Sequence, residues 1–223
     1  MSQSLSLYVQ SVQKVVVRSN GQKSLKKPYR GQQGFSLVEV SIVTALMILM
    51  AIIGLPAVQG YVIENKVPRV AQDLQRFVAR LKMTAVGAGA TPYAKVDQRV
   101  LMNGLRDATV VTVQGTENNQ AVAHGLGGKG VGGHGTVLLS PETVPGMGDG
   151  SAFRLTLNFV NHAACPTLAA VMQRMASQVS IAGVGAAVVV KNSDATPAVA
   201  YNPVLADAQC ATGDVNHFVF SFH

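Results

Sequence analysis

The stretch Gly34-Phe35-Ser36-Leu37-Val38-Glu39-Val40-Ser41-Ile42-Val43-Thr44-Ala45-Leu46-Met47-Ile48-Leu49-Met50-Ala51-Ile52-Ile53-Gly54-Leu55-Pro56-Ala57-Val58 carries a single charged residue, Glu39. As a helix rising about 1.5 Å per residue, residues 35–58 reach about 36 Å, enough to cross the hydrocarbon core of a bilayer. Upstream, the character of the chain reverses. Residues 1–34 hold Lys14, Arg18, Lys23, Lys26, Lys27 and Arg30 and no acid. The positive-inside bias keeps that segment cytoplasmic and sends the C-terminal part outward. An ordinary secretory signal places its small-residue cleavage site after the apolar run. Here a basic leader ends in glycine before it. A cut after Gly34 leaves the apolar helix on the chain, with a new amino terminus at Phe35.

The leader also explains the charge. The formal net charge of +7 invites a nucleic-acid reading. Without the six leader bases, twelve bases face eleven acids from Phe35 onward. No Lys/Arg cluster with interleaved aromatics remains, so no specific nucleic acid is indicated as a partner. Apolar residues make up 48% of the 223. That composition is too apolar for a disordered chain and supports a sizeable core without metal or cofactor.

A carboxylate just inside an apolar helix costs a few kcal/mol on insertion scales and marks a functional position by default. The plain alternative is a Glu39 solvated among lipid headgroups. The Gly-Phe junction and basic leader beside it favour the functional reading. Together, Gly34-Phe35-Ser36-Leu37-Val38-Glu39, the long apolar run and the leader resemble the prepilin-peptidase site of type IV pilins. The resemblance is firm over residues 31–60 and architectural beyond. It implies cleavage after Gly34, N-methylation of Phe35, and a role for Glu39 in pairing with the terminal amine of a neighbouring subunit. It further implies that a proline such as Pro56 marks a stretch able to unwind when helices pack into a fibre.

Downstream, Val67, Val70, Ala71, Leu74, Phe77, Val78 and Leu81 recur at helical spacing, with Arg69, Gln72, Asp73, Gln75, Arg76, Arg80 and Lys82 on other faces. One helix over about 36–86 is expected, interrupted by Gly54, Pro56, Gly60 and Pro68, with each proline favouring a kink. Gly87-Ala88-Gly89-Ala90-Thr91-Pro92 stops it. Two short segments follow, 99–105 and 108–114; the second, around Thr109-Val110-Val111-Thr112-Val113, reads as a strand. Strands are also expected at 137–140, 153–160 and 217–222, and in the β-branched stretch 179–191. A helix opens at Cys165-Pro166 and runs to about Ser177, with Pro166 near its first position.

The fold class read from these elements is α+β: a long N-terminal helix packed against an antiparallel β-sheet; the resemblance implies that the helix is the pilin stalk and that the C-terminal region is disulfide-bounded. The organisation is a cleaved leader at 1–34, a transmembrane and assembly half-helix at 35–58, an amphipathic half at 59–86 and a globular α+β head at 87–223.

Cys165 and Cys210 are the only cysteines. In an exported chain two cysteines usually pair; two unrelated buried thiols are the alternative. Neither has a CxxC partner or histidines at ligand spacing, so no metal site is expected. Residues 125–135 (Gly-Leu-Gly-Gly-Lys-Gly-Val-Gly-Gly-His-Gly) imitate a phosphate loop. Lys129 is followed by Gly130 rather than Ser or Thr, and no helix pattern comes next. A flexible surface loop is the better reading. His124, His134, His162, His217 and His223 are scattered without HxxxH spacing, and no catalytic residue or cofactor is assigned.

The long leader and the large loop with its own helix resemble the type IVb subclass, including the thin-pilus and toxin-coregulated pilins. The family implies a homopolymer of pilin subunits, a prepilin peptidase, inner-membrane assembly machinery, and passage through the inner membrane to a surface filament. Such fibres serve adhesion, aggregation or conjugation. A minor pilin or type II secretion pseudopilin follows the same assembly logic. From another class, a single-pass membrane-anchored enzyme or binding domain predicts an uncut chain indifferent to Glu39.

Overall fold

A computed structural model of the chain describes residues 36–115 and 120–223. The apolar run and the amphipathic segment behind it form one helix, α1 (Leu37–Ala85). Pro56 and Pro68 both fall inside it, and the helix continues through each. The chain divides into two units between Ile48 and Leu49, inside α1.

In the second unit the helical spacing becomes a buried face. Val67, Val70, Ala71, Leu74, Phe77 and Val78 enter one core cluster with the sheet, while Arg69, Gln72, Arg76 and Arg80 are exposed. Asp73 is buried on the same side as the apolar stripe. Its Oδ2 accepts hydrogen bonds from Thr109 N–H (3.0 Å), the Thr109 hydroxyl (3.2 Å) and Val110 N–H (3.3 Å). A carboxylate removed from water needs such donors, and here they tie α1 to the chain entering the first strand.

The remaining elements run α2 (Gln98–Gly104), β1 (Thr112–Gln114), β2 (Ala121–Ala123), β3 (Thr136–Glu142), β4 (Ala152–Asn161), a 3-10 turn (His162–Ala164), α3 (Cys165–Met172), β5 (Gln178–Ala182), β6 (Val188–Asn192), α4 (Pro203–Ala208) and β7 (Asp214–Phe222). All seven strands form one sheet in the order β1-β2-β3-β4-β7-β5-β6. Every neighbouring pair is antiparallel.

Register follows from alternation. Two apolar rows cross four strands: Leu139, Leu155, Phe220 and Val179 form one, and Val137, Leu157, Phe218 and Ile181 the other. A one-residue slip would send each row to the opposite face. Full burial of each such side chain is worth about 1.5–3 kcal/mol, so the register is strongly held.

The structure assigns the segment at 99–105, which the sequence leaves untyped, and differs from the expectation elsewhere. Residues 98–104 are helical because Asp97 caps them, its Oδ1 accepting from Val100 N–H at 3.1 Å. The strand expected over 109–113 is confined to Thr112–Gln114, since Thr109 and Val110 are engaged by Asp73. The Cys165 helix ends at Met172 rather than near Ser177. Lys191 closes that end, donating to the carbonyls of Gln173 (2.6 Å) and Ala176 (2.8 Å). Residues 179–191 divide into the β5–β6 hairpin. Helix α4 was not anticipated; Asn202-Pro203 is its signal, with Asn202 Oδ1 accepting from Leu205 N–H at 3.0 Å.

Candidate functional site

Residues 37–54 are all exposed, including Leu46, Met47, Ile48, Leu49, Met50, Ile52 and Ile53. The helix is long and apolar enough to cross a membrane. Its polar side chains are turned back on the helix itself. Ser41 Oγ donates to the Val38 carbonyl at 2.8 Å, and Thr44 Oγ1 lies 3.0 Å from the carbonyls of Val40 and Ser41. Hydroxyls satisfied in this way are tolerated where no water reaches.

Glu39 is different. It sits in the first turn of α1, where the helix dipole favours a negative charge, and its backbone N–H donates to Ser36 O at 2.9 Å. The side chain is exposed, and it has no ion-pair partner among the described residues. Gly34 and Phe35, the cleavage and methylation positions, lie outside the described residues. Pro56 lies within α1. Glu39 thus stands among exposed apolar residues, whereas Val67, Val70, Ala71, Leu74, Phe77 and Val78 of α1 enter the core.

Cys165 and Cys210 form a disulfide with Cα atoms 5.9 Å apart. It closes a segment holding α3, β5, β6 and α4. Asn216, fully buried on β7, holds the chain just beyond the bridge. Its Nδ2 donates to Val160 O (3.1 Å) and Ala211 O (2.9 Å), and its Oδ1 accepts from Ala211 N–H (2.7 Å). Nothing in the local sequence distinguishes Asn216 from a surface residue of a strand.

The glycine-rich stretch 125–135, expected to be a flexible loop, is pinned. Leu126 is fully buried, its carbonyl accepts from Asn161 N–H at 2.8 Å, and Gly128 N–H donates to Asp214 Oδ2 at 2.9 Å. Gly128 has φ +67°, and a Cβ there would stand 2.5 Å from the Gly135 nitrogen. The glycines thus serve close approach rather than mobility.

Three of the five scattered histidines converge at this point. Phe159, at φ +59° in the β4 bulge, stacks on His134 (centroids 4.0 Å apart) and meets His217 edge-on (4.7 Å). His124 is fully buried. Its Nδ1 accepts from Leu126 N–H at 3.0 Å, which leaves the proton on Nε2 to donate to Asn158 O at 2.9 Å. Burial lowers the His124 pKa from the ordinary histidine value, against smaller raising effects of the Asn158 carbonyl and Asp214. Burial, with His134 adding repulsion, lowers that of His217 as well. Among the described residues, no group of three or more His, Cys, Asp or Glu side chains is placed to hold a metal ion.

No family model matches the chain, and no curated protein matches it. Solved structures that resemble it include type IV pilins. The type IV b pilin from Salmonella typhi is 20% identical over 71% of this chain and 98% of its own, with a TM-score of 0.46. TcpA, a type IV pilin from Vibrio cholerae El Tor biotype, is 13% identical over 71% of this chain and 99% of its own, with a TM-score of 0.47.

Proposed function

We propose that this chain is the structural subunit of a type IV pilus of the IVb kind. It enters the inner membrane as a prepilin, is cut after Gly34 by a prepilin peptidase and is N-methylated at Phe35. Inner-membrane assembly machinery then polymerises it into a surface fibre serving adhesion, aggregation or conjugation. Its role is mechanical, and no catalytic residue is assigned.

The observation that carries this reading is Glu39, standing on a bare apolar helix whose second half is covered by its own sheet. A carboxylate in an apolar fibre interior is costly unless a cation meets it. No Lys or Arg occurs between Phe35 and Lys66. The cation available at that level is the terminal amine of Phe35 in a neighbouring copy. Packing of apolar helices supplies the cohesion, and the charge pair sets the register. Pro56 marks the stretch that unwinds as the helices come together.

Two measurements test the proposal. Intact mass spectrometry of material sheared from cells is expected to show a chain beginning at N-methylated Phe35, two hydrogens light for the disulfide. A membrane-bound form still beginning near Met1, absent from the sheared fraction, favours an anchored domain instead. The Glu39→Ala variant is expected to be processed and folded yet to give no fibres. Normal piliation in that variant would sink the pairing.

A further inference from the structure

The two cysteines of the disulfide differ in what they face. Cys165 is fully buried and is the first residue of α3, whereas Cys210 is partly exposed. Cys210 lines an open cleft of about 640 Å³ whose wall it shares with Tyr61 and Glu64 of α1, His162 of the 3-10 turn and Asp207 of α4. Among the described residues, neither Glu64 nor Asp207 has an ion-pair partner.

We infer that the Cys165–Cys210 bridge is a thiol–disulfide exchange site of the folded chain. An external thiolate reaches it through the cleft, attacks Cys210 Sγ and expels Cys165. The chemistry belongs to the folded chain alone and is the same whether or not copies assemble into a fibre.

In the first step a thiolate RS⁻ gives an electron pair to Cys210 Sγ. The RS–Sγ bond forms, the bond between the cysteines breaks, and the pair leaves on Cys165 Sγ as a thiolate. A second RS⁻ then attacks the RS sulfur of the mixed disulfide, giving RSSR and the Cys210 thiolate. Two external thiols are oxidised, one bridge is reduced, and the cysteines take their protons from water.

Access favours Cys210 as the sulfur attacked, since exchange needs an approach to the disulfide and Cys165 offers none. The leaving group points the same way. Cys165 stands at the N-terminus of α3, and Ala164 before it makes no side-chain cap hydrogen bond to the first turn. A helix N-terminus stabilises a thiolate, against the opposing effect of burial, and a more stable thiolate leaves faster. Position is kept as well. Asn216 holds Ala211, the residue after Cys210, through three hydrogen bonds, so Cys210 stays at the cleft while the bridge opens.

The cleft also sorts the incoming thiol by charge. Glu64 and Asp207 give it two carboxylates, and among the described residues that line it His162 is the one base. A thiol carrying an ammonium group is favoured there over one carrying a sulfonate.

The test exposes the oxidised full-length chain, in neutral detergent, to cysteamine, 2-mercaptoethanol or 2-mercaptoethanesulfonate at matched thiolate concentration. Acid quenching and non-reducing peptide mapping by mass spectrometry read which cysteine carries the small thiol. The adduct is expected on Cys210, in about tenfold or greater excess over Cys165. The rate is expected to rise in proportion to thiol concentration. Relative to the urea-unfolded chain, cysteamine is expected to react about fivefold faster than the sulfonate, and Glu64→Gln/Asp207→Asn to abolish that preference. An adduct on Cys165, or one divided equally, overturns the inference. So does a rate that levels off at one value for all three thiols, because exchange would then wait for unfolding. A charge preference unchanged in the double variant overturns the cleft as the route.

Discussion

His124 shows how much one buried side chain decides. Its two ring nitrogens have opposite roles, acceptor toward Leu126 N–H and donor toward the Asn158 carbonyl, so the fold holds it neutral. Asp214 on β7 is the charged group that acts on it, and His217 shares Asn158 with it, the backbone carbonyl accepting from His124 and the side-chain oxygen lying 3.0 Å from His217 Nδ1. With the folded pKa below the ordinary value of about 6.5, the folded state binds fewer protons than the unfolded one. Stability is therefore complete above about pH 6.5, falls as pH drops toward the folded pKa, and levels off below it. The melting temperature of the folded part is expected to drop between pH 7 and pH 5. In His124→Gln the drop is expected to shrink, because an amide supplies one donor and one acceptor without titrating. His217, also lowered, keeps a residual slope. Equal slopes in the two proteins would refute the assignment. Local sequence spaced these histidines apart; only the β4 bulge and the pinned glycine segment bring them together.

At the scale of elements, the disulfide region is held by its bridge and by backbone capture. The bridge joins residues 45 apart, and a loop of that size is worth roughly 4 kcal/mol in the chain-entropy account. Urea unfolding of the Cys165→Ser/Cys210→Ser double variant is expected to show a loss of about 2–5 kcal/mol against the oxidised protein. A loss below about 1 kcal/mol would mean that Asn216 and the β5–β7 pairing hold the region without the bridge. Half of this element was readable in advance, since two lone cysteines in an exported chain point to each other. Lys191 capping α3 and Asn216 clamping Ala211 were not readable, because their partners are backbone carbonyls and amides that any sequence supplies.

At the scale of the molecule, the core begins at Val67, with Ile63 packed against its edge. Residues 37–54 of α1 are all exposed and, apart from Glu39, Ser41 and Thr44, apolar or glycine, and none of them belongs to the core. A chain beginning at Val58 is expected to stay folded and monomeric in water, as seen by circular dichroism and by light scattering on a sizing column. The chain beginning at Phe35 is expected to need detergent or lipid, since it exposes a contiguous apolar stretch no monomer covers. Aggregation of the Val58 form would place part of residues 37–57 in the fold after all.

The sequence by itself determined α1, its division into an apolar half and an amphipathic half, the core face of the second half and the α+β class, and it favoured the pairing of the two cysteines that the structure shows. These are local or compositional properties: a helix writes its buried face at a period of 3.6, and a strand such as β7 writes its own at a period of 2. Only the tertiary structure decided the sheet order, in which the last strand, β7, lies between β4 and β5. It also decided the burial of Asp73, the capture of the glycine segment and the gathering of His124, His134 and His217. Those outcomes depend on which distant segments pair. Pairing is selected by the packing of whole apolar rows against α1 and by the demand that buried polar groups find partners, neither of which is written in any short stretch of chain.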